Sequence, residues 1–320
     1  MMRVSLFTRK DCRLCEDVKA ELDALRSEFP HELIEVDIES DPILHQHYAE
    51  LIPVLKVGPY TLEAPIDATQ LRVTLAAAQT GWKQEPASAV AKRPRRRAIG
   101  YHKVLLFIAK HWLALINLFT FLYVGLPFSA PLLMEAGAKR PAGLIYSLYS
   151  PLCHQYAFRS WFLFGEQHAY PLEIADTDLS SYGEVTGFDE YDYWGAREYT
   201  GSPRVGYKVA LCQRDVAIYG GIFLSGLLFA LLRGRLKPLP IGFWFLIGVL
   251  PIAIDGGTQF LAAIPIGSFP IRESTPFLRT VTGLMFGVAN VWLAYPYLEE
   301  TMQELRIMVA EKLARTGEAP

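Results

Sequence analysis

The chain has 320 residues, 51% of them hydrophobic, and a formal net charge of −2. This length leaves room for about two domains, and a charge so close to zero argues against nucleic acid as a partner because it provides no bulk electrostatic attraction. Long apolar runs after about residue 104 indicate a lipid bilayer as the partner instead. In chain order we predict a soluble α/β domain over 1–82, a basic cytoplasmic linker over 83–103, a membrane domain over 104–300 and a cytoplasmic C-terminal helix over 301–320.

The N-terminal domain begins with a strand that leads into a cysteine pair and then a helix. The sequence Cys12-Arg-Leu-Cys15 follows an apolar strand, and apolar residues then recur at helical spacing. A second strand, a short helix, a hairpin and a closing helix capped by Asp67 complete the order β-α-β-α-β-β-α.

The spacing of this cysteine pair favours redox chemistry. A thiol at a helix N-terminus meets free backbone N–H groups and the positive end of the helix dipole, which favour its thiolate. Cys12 is therefore the predicted nucleophile, and Cys15, one turn later, is the predicted resolving thiol. A zinc site would need further ligands, for which His45 and His47 are the nearest candidates, so we favour redox over metal binding here.

The same region resembles the glutaredoxin branch of the thioredoxin fold. The stretch "TRKDCRLCE" is similar to the active-site turn of bacterial glutaredoxin-like proteins, and "IPVL" is similar to the segment with a cis-proline. The resemblance implies a cis peptide bond before Pro53, beside Cys12. It does not imply glutathione as the substrate, because the Gly-Gly and Asp pair that holds glutathione is not evident in "EAPIDATQL".

The second half of the chain predicts an all-helical transmembrane bundle. Four apolar runs each approach the ~20 residues that a spanning helix needs. They lie at about 112–134, 210–232, 240–264 and 277–298.

Charged segments between these runs predict the topology of a multi-pass cell-membrane protein. The basic stretches at 91–97 and 233–237 should be cytoplasmic, and the acidic stretch at 166–207 should lie outside. Both termini are then cytoplasmic. The stretch 142–164 would reverse this topology as a fifth span, so we predict a broken, interfacial or re-entrant segment on the outer side.

Polar residues in the membrane domain predict a second site on the outer face. Cys153 and Cys212 fall at the same level, and charged residues at membrane depth usually face a cavity or each other. The candidate residues are Cys153, His154, Arg159, Cys212, Arg214, Asp215, Asp255, Gln259 and Arg279, with Glu273 in the neighbouring loop.

Three arrangements of the two outer cysteines are open. We rank a structural or redox disulfide first and two unrelated cysteines last. We rank a metal site second, for example tetrahedral zinc held by Cys153, His154, Cys212 and Asp255. Asp255 could instead pair with an arginine and serve only to stabilise the helix bundle.

This region also resembles a bacterial and archaeal membrane protein family of unknown function. The residues that carry the resemblance are "PLCHQYAFRSW", "LCQRDVAIYGG" and "DGGTQFL" followed by "ESTPFLRTVTG". The resemblance groups these residues but implies no reaction.

The leading hypothesis is a membrane-tethered thiol–disulfide oxidoreductase that acts on a thiol or disulfide protein or on a small-molecule thiol. One alternative is a transporter or metal-binding membrane protein with a regulatory redox domain. Another is a membrane enzyme that uses a zinc-bound water near Asp255.

Overall fold

A computed structural model describes residues 2–81, 95–263 and 272–315. Most of the predicted linker and the end of the predicted third span lie outside the described residues. The chain divides into two compact units. The first contains Met1–Trp112 and Glu300–Pro320, and the second contains Leu113–Glu299.

The first unit contains a four-stranded mixed sheet with helices around it. Parallel pairing joins the first two strands, and antiparallel pairing joins the others, in the spatial order β2-β1-β3-β4. This arrangement confirms the predicted thioredoxin-like fold. The strands are β1 (Met2–Thr8), β2 (His31–Asp37), β3 (Val54–Val57) and β4 (Tyr60–Leu62), and the helices are α1 (Arg13–Ala24), α2 (Pro42–Tyr48) and α3 (Ala68–Gly81).

Local sequence signals set the helix starts in this unit. The Asp41 carboxylate accepts a hydrogen bond from the Ile43 N–H at 2.8 Å, and Pro42 occupies the first turn of α2. Asp67 caps α3 as predicted, because its carboxylate accepts the Gln70 N–H at 2.7 Å. These caps satisfy N–H groups that a helix cannot satisfy internally.

The second unit contains the long apolar helices. Its elements in chain order are α4 (Arg95–Glu135), which begins in the first unit, α5 (Lys139–Tyr149), β5 (Ser160–Leu163), α6 (Tyr182–Thr186), α7 (Tyr193–Glu198), β6 (Gly201–Ser202), β7 (Gly206–Cys212), α8 (Gln213–Leu232), α9 (Ile241–Phe243), a π-helical stretch (Trp244–Val249), α10 (Leu250–Ala263) and α11 (Pro276–Arg315), which ends in the first unit.

Four helical stretches are long and apolar enough to cross a membrane, which confirms the predicted number of spans. They are Gly100–Glu135, Gln213–Leu232, Ile241–Leu261 and Pro276–Leu313. Helices α4 and α11 have 41 and 40 residues. At 1.5 Å per residue each is about 60 Å long, which exceeds a hydrocarbon core of roughly 30 Å. The C-terminal helix predicted at 301–320 continues α11 without a break as far as Arg315.

The stretch 142–164 is broken, as predicted, and is not among the candidate spans of the described residues. Helix α5 ends at Tyr149, a short 3-10 turn follows at Ala157–Arg159, and the chain then enters β5.

The second unit also contains a small antiparallel sheet, which we did not predict. Its strand order is β5-β7-β6, with Ser160 opposite Cys212. The absence of a side chain at Gly206 allows the strands of this sheet to pack closely. Gly206 has φ +80°, and a Cβ there would lie 2.3 Å from the Leu163 carbonyl oxygen. Residues 210–212, which we assigned to a span, are therefore the end of a strand.

The end of α11 completes the core of the first unit. Ala310 packs in the buried cluster that contains Phe7, Cys15 and Tyr48. The Glu311 carboxylate accepts hydrogen bonds from the Tyr48 hydroxyl and from Lys56 Nζ, the latter at 2.7 Å. Cys15 is thus buried in a core that residues from both ends of the chain build together.

Candidate functional site

The first candidate site is the cysteine pair at the start of α1. Cys12 is the N-cap of this helix, and its Sγ accepts a hydrogen bond from the Cys15 N–H at 3.2 Å. The two residues form a disulfide. Cys12 is half-buried at the surface and Cys15 is 1% exposed. An external disulfide can therefore approach Cys12 more easily than Cys15.

The proline predicted beside this pair has the expected geometry. The Ile52–Pro53 peptide bond is cis. Ile52 and Val54 belong to the same buried cluster as Cys15, and Cys12 packs against that cluster. The proline segment is thus built into the core that supports the disulfide.

The described residues add no metal ligands to Cys12 and Cys15. Within the described ranges, neither thiol belongs to a group of three or more ligand-type side chains at metal-binding separations. His45 and His47 are exposed on α2.

A groove of about 410 Å³ begins at the disulfide loop. Leu14, which lies between the two cysteines, lines it together with Pro53. Asp17 and Glu21, one turn apart on α1, supply carboxylates to its wall. The sequence analysis missed this groove, although the i, i+4 spacing of the two acids was a visible signal.

The second candidate site is built around the other two cysteines. Cys153 lies in the turn that ends α5, and Cys212 caps the N-terminus of α8. Their sulfurs and a carboxylate oxygen of Asp215 all lie within 4.8 Å of one another. The Cys212 thiol donates a hydrogen bond to Asp215 Oδ2 at 3.1 Å.

Mutual hydrogen bonding separates the pKa values of these two thiols. The hydrogen bond with Cys212 lowers the pKa of Cys153 and raises the pKa of Cys212. Cys153 is therefore the more acidic thiol of the two.

A cavity of about 300 Å³ adjoins this group of three ligand-type side chains. His154 lines it, and its ring stacks on Tyr156 with the centroids 5.4 Å apart. Apart from Asp255, all the residues predicted for the outer site line this cavity: Cys153, His154, Arg159, Cys212, Arg214, Asp215, Gln259 and Arg279.

The predicted role of Asp255 as a metal ligand is corrected, because its carboxylate is already occupied. Its oxygens accept hydrogen bonds from Arg214 at 2.6 Å and from Arg272 at 3.0 Å. The Ser274 hydroxyl adds contacts of 2.7 and 2.8 Å. The four-ligand set that we ranked second is therefore not assembled, and Asp215 lies next to the two cysteines instead.

Glu273 is a second buried carboxylate that holds the cavity wall. Arg159 binds it in a bidentate manner at 2.8 and 2.9 Å. Arg279 also contacts it, and Gln259 Nε2 donates to it at 2.5 Å. Burial alone would raise the pKa of Glu273, but the hydrogen bond from Arg159 and the charge of Arg279 outweigh burial and lower that pKa.

Lys208 is a buried residue that the sequence analysis missed. Its ammonium donates to the carbonyl oxygens of Gln155 at 2.9 Å and Arg197 at 2.5 Å. Burial lowers its pKa to about 7. A lysine in the apolar run of β7 was the available signal.

Comparison with known proteins agrees with this two-part organisation. Residues 3–76 match the family model of a glutaredoxin-like domain (DUF836), and residues 204–293 match that of a predicted membrane protein (DUF2085). The chain is therefore a glutaredoxin-like domain joined to a DUF2085 membrane domain, whose function is unknown.

Two similar proteins add no activity to this description. The chain is 24% identical over 158 residues to an uncharacterized protein of Methanocaldococcus jannaschii, across 49% of this chain and 69% of the relative. A structural genomics target protein from X. campestris with a solved structure is 32% identical. That match covers 23% of this chain and 96% of the solved one, with a TM-score of 0.21.

Replacing Glu273→Gln should destabilise the purified protein by about 3–5 kcal/mol, because it leaves Arg279 buried without its charge partner. Because the folded-state pKa of Glu273 is lowered, its stabilisation is present above the ordinary glutamate pKa and is lost as the pH falls through the lowered value. Thermal unfolding in detergent at several pH values measures both effects.

The matched control is Glu166→Gln. Glu166 pairs with Arg204 at 3.2 Å, but both side chains are largely exposed, so the expected loss is below about 1 kcal/mol. Equal unfolding temperatures for the two variants would contradict the role assigned to Glu273.

Proposed function

We propose that the chain is a membrane-tethered thiol–disulfide oxidoreductase whose reacting pair is Cys12 and Cys15. The observation that carries this proposal is the asymmetry of the pair. Cys12 stands partly exposed at a helix N-terminus, and Cys15 is buried one turn away within bonding distance. This arrangement supplies an activated nucleophile and a shielded resolving thiol.

The exchange runs in two balanced steps. The Cys12 thiolate attacks one sulfur of a substrate disulfide, and the other substrate sulfur leaves as a thiolate that takes up a proton. Cys15 then loses its proton and attacks the Cys12 sulfur, which releases the second substrate thiol. The substrate gains two electrons and the cysteine pair becomes a disulfide. A low-molecular-weight thiol or a dithiol protein returns the two electrons.

The basic stretches at 91–97 and 233–237 support a cytoplasmic location for the redox domain. Both termini then lie on the cytoplasmic side of the cell membrane. In this topology the exchange takes place in a reducing compartment, where a thiol donor for the cysteine pair is present.

A second candidate function is a metal-binding membrane protein in which the redox domain is regulatory. The observation that favours it is the grouping of Cys153, Cys212 and Asp215 beside a cavity.

The Cys12→Ser variant of the full-length protein should reduce a small aliphatic disulfide no faster than the uncatalysed reaction, because a hydroxyl cannot replace the attacking thiolate. Cys15→Ser should retain turnover that passes through a mixed disulfide with a monothiol donor. The measurement is the steady-state rate of disulfide reduction in detergent.

The control for this experiment is the double variant Cys153→Ser/Cys212→Ser, which removes the other two cysteines of the chain and should keep the wild-type rate. If Cys12→Ser were as active as the wild type, the redox function of this domain would be excluded.

The acidic groove next to the disulfide favours neutral or cationic peptide disulfides over glutathione, which is a net anion at neutral pH. Replacing Asp17→Asn and Glu21→Gln together should raise kcat/KM for a glutathionylated peptide several-fold, because it removes like-charge repulsion. The rate with a neutral aliphatic disulfide should stay unchanged.

Glu16→Gln is the matched control, since Glu16 is exposed on the same helix but does not line the groove. An equal gain from this control would mean that general surface charge, and not the groove, selects the substrate.

A further inference from the structure

The group of Cys153, Cys212 and Asp215 has the chemistry of a cation site that is separate from the redox pair. We propose that these three residues bind one divalent cation of the zinc class in the membrane domain. Thiolate and carboxylate ligands are the donors that zinc takes in proteins.

The separations within the group fit a single ion. Zinc ligands lie about 2.0–2.3 Å from the ion, so two ligands of one ion are at most about 4.6 Å apart. The three ligand atoms lie within 4.8 Å of one another. Small side-chain rotations therefore suffice to close the site.

Two of the three ligands are fixed by one turn of helix. Cys212 caps α8, and its Sγ also accepts the Asp215 N–H at 3.4 Å. The pairing of Ser160 with Cys212 holds this helix start in the small sheet. Cys153 is fixed by a hydrogen bond from its N–H to the Tyr149 carbonyl oxygen at 3.0 Å. The ligands are thus held by ordered backbone before any ion binds.

The arginines beside the cavity form their ion pairs with other carboxylates. Arg214 is bound to Asp255, and Arg159 is bound to Glu273. Among the ion pairs of the described residues none involves Asp215, whose carboxylate instead contacts the Cys212 thiol.

A cation therefore accounts for all three ligand-type groups. A disulfide between Cys153 and Cys212 would use the two sulfurs and remove the thiol hydrogen bond that the Asp215 carboxylate accepts. Three deprotonated ligands carry three negative charges, and a divalent ion offsets two of them.

The ion would keep an open position on the cavity side. His154 lines the cavity but is not a member of the three-residue group. Zinc sites with three protein ligands leave the fourth place to water or to a bound molecule. A small ligand in the cavity of about 300 Å³ would meet the ion and the guanidinium groups of Arg159 and Arg214.

The test is elemental analysis and Co²⁺ substitution of the full-length protein, purified in detergent under reducing conditions. The wild type should hold about one zinc ion per chain, and Co²⁺ should give thiolate-to-cobalt absorption. Cys153→Ser and Asp215→Asn should lose most of this metal. Cys12→Ser/Cys15→Ser should keep it, which separates this site from the redox pair.

Thiol protection in the wild type tests the proposal even if a variant fails to fold. A bound ion should slow maleimide labelling of Cys153 and Cys212, and a chelator should restore it. Metal retained in Cys153→Ser but lost in Cys12→Ser/Cys15→Ser would overturn the proposal. So would a wild-type protein without metal, or a peptide map with a Cys153–Cys212 disulfide.

Discussion

The Glu273 carboxylate lies in the loop before α11 and binds two arginines from separate parts of the membrane domain. Arg159 comes from the turn before β5, and Arg279 comes from the first turns of α11. Gln259 on α10 completes the contact. A charge buried at this level is tolerated only when it is paired and hydrogen-bonded, so these elements must come together for any of them to be stable.

These ion pairs also determine which polar groups of the membrane domain remain available to react or to bind a ligand. Because Glu273 and Asp255 take up the arginines, Asp215 stays with the two thiols of the membrane domain. Of the chain's four cysteines, one pair forms a disulfide at a helix start and the other pair meets a carboxylate beside a cavity. We infer that the two pairs do different chemistry, electron transfer at the first and cation binding at the second.

Local sequence signals were enough for the glutaredoxin-like domain and for the number of spans. The cysteine pair, the cap at Asp67 and the four apolar runs each act over a few residues or one helix. Pairing of Asp255 with an arginine was one alternative from the sequence, but the particular partners were not predictable. Arg214 and Ser274 are 41 and 19 residues from it, and several arginines were equally available. The small sheet was also missed, because its strands are short and we interpreted the end of the β7 sequence as the start of a spanning helix.

The most direct test of the claim that the two cysteine pairs differ is to map all four thiols in the full-length protein. The protein is equilibrated over a series of glutathione redox potentials, and differential alkylation with mass spectrometry reports each pair. We expect Cys12 and Cys15 to convert between dithiol and disulfide as one two-electron couple, while Cys153 and Cys212 remain unlinked. A Cys153–Cys212 disulfide that forms over the same range, or a Cys12–Cys15 pair that never changes, would contradict the account.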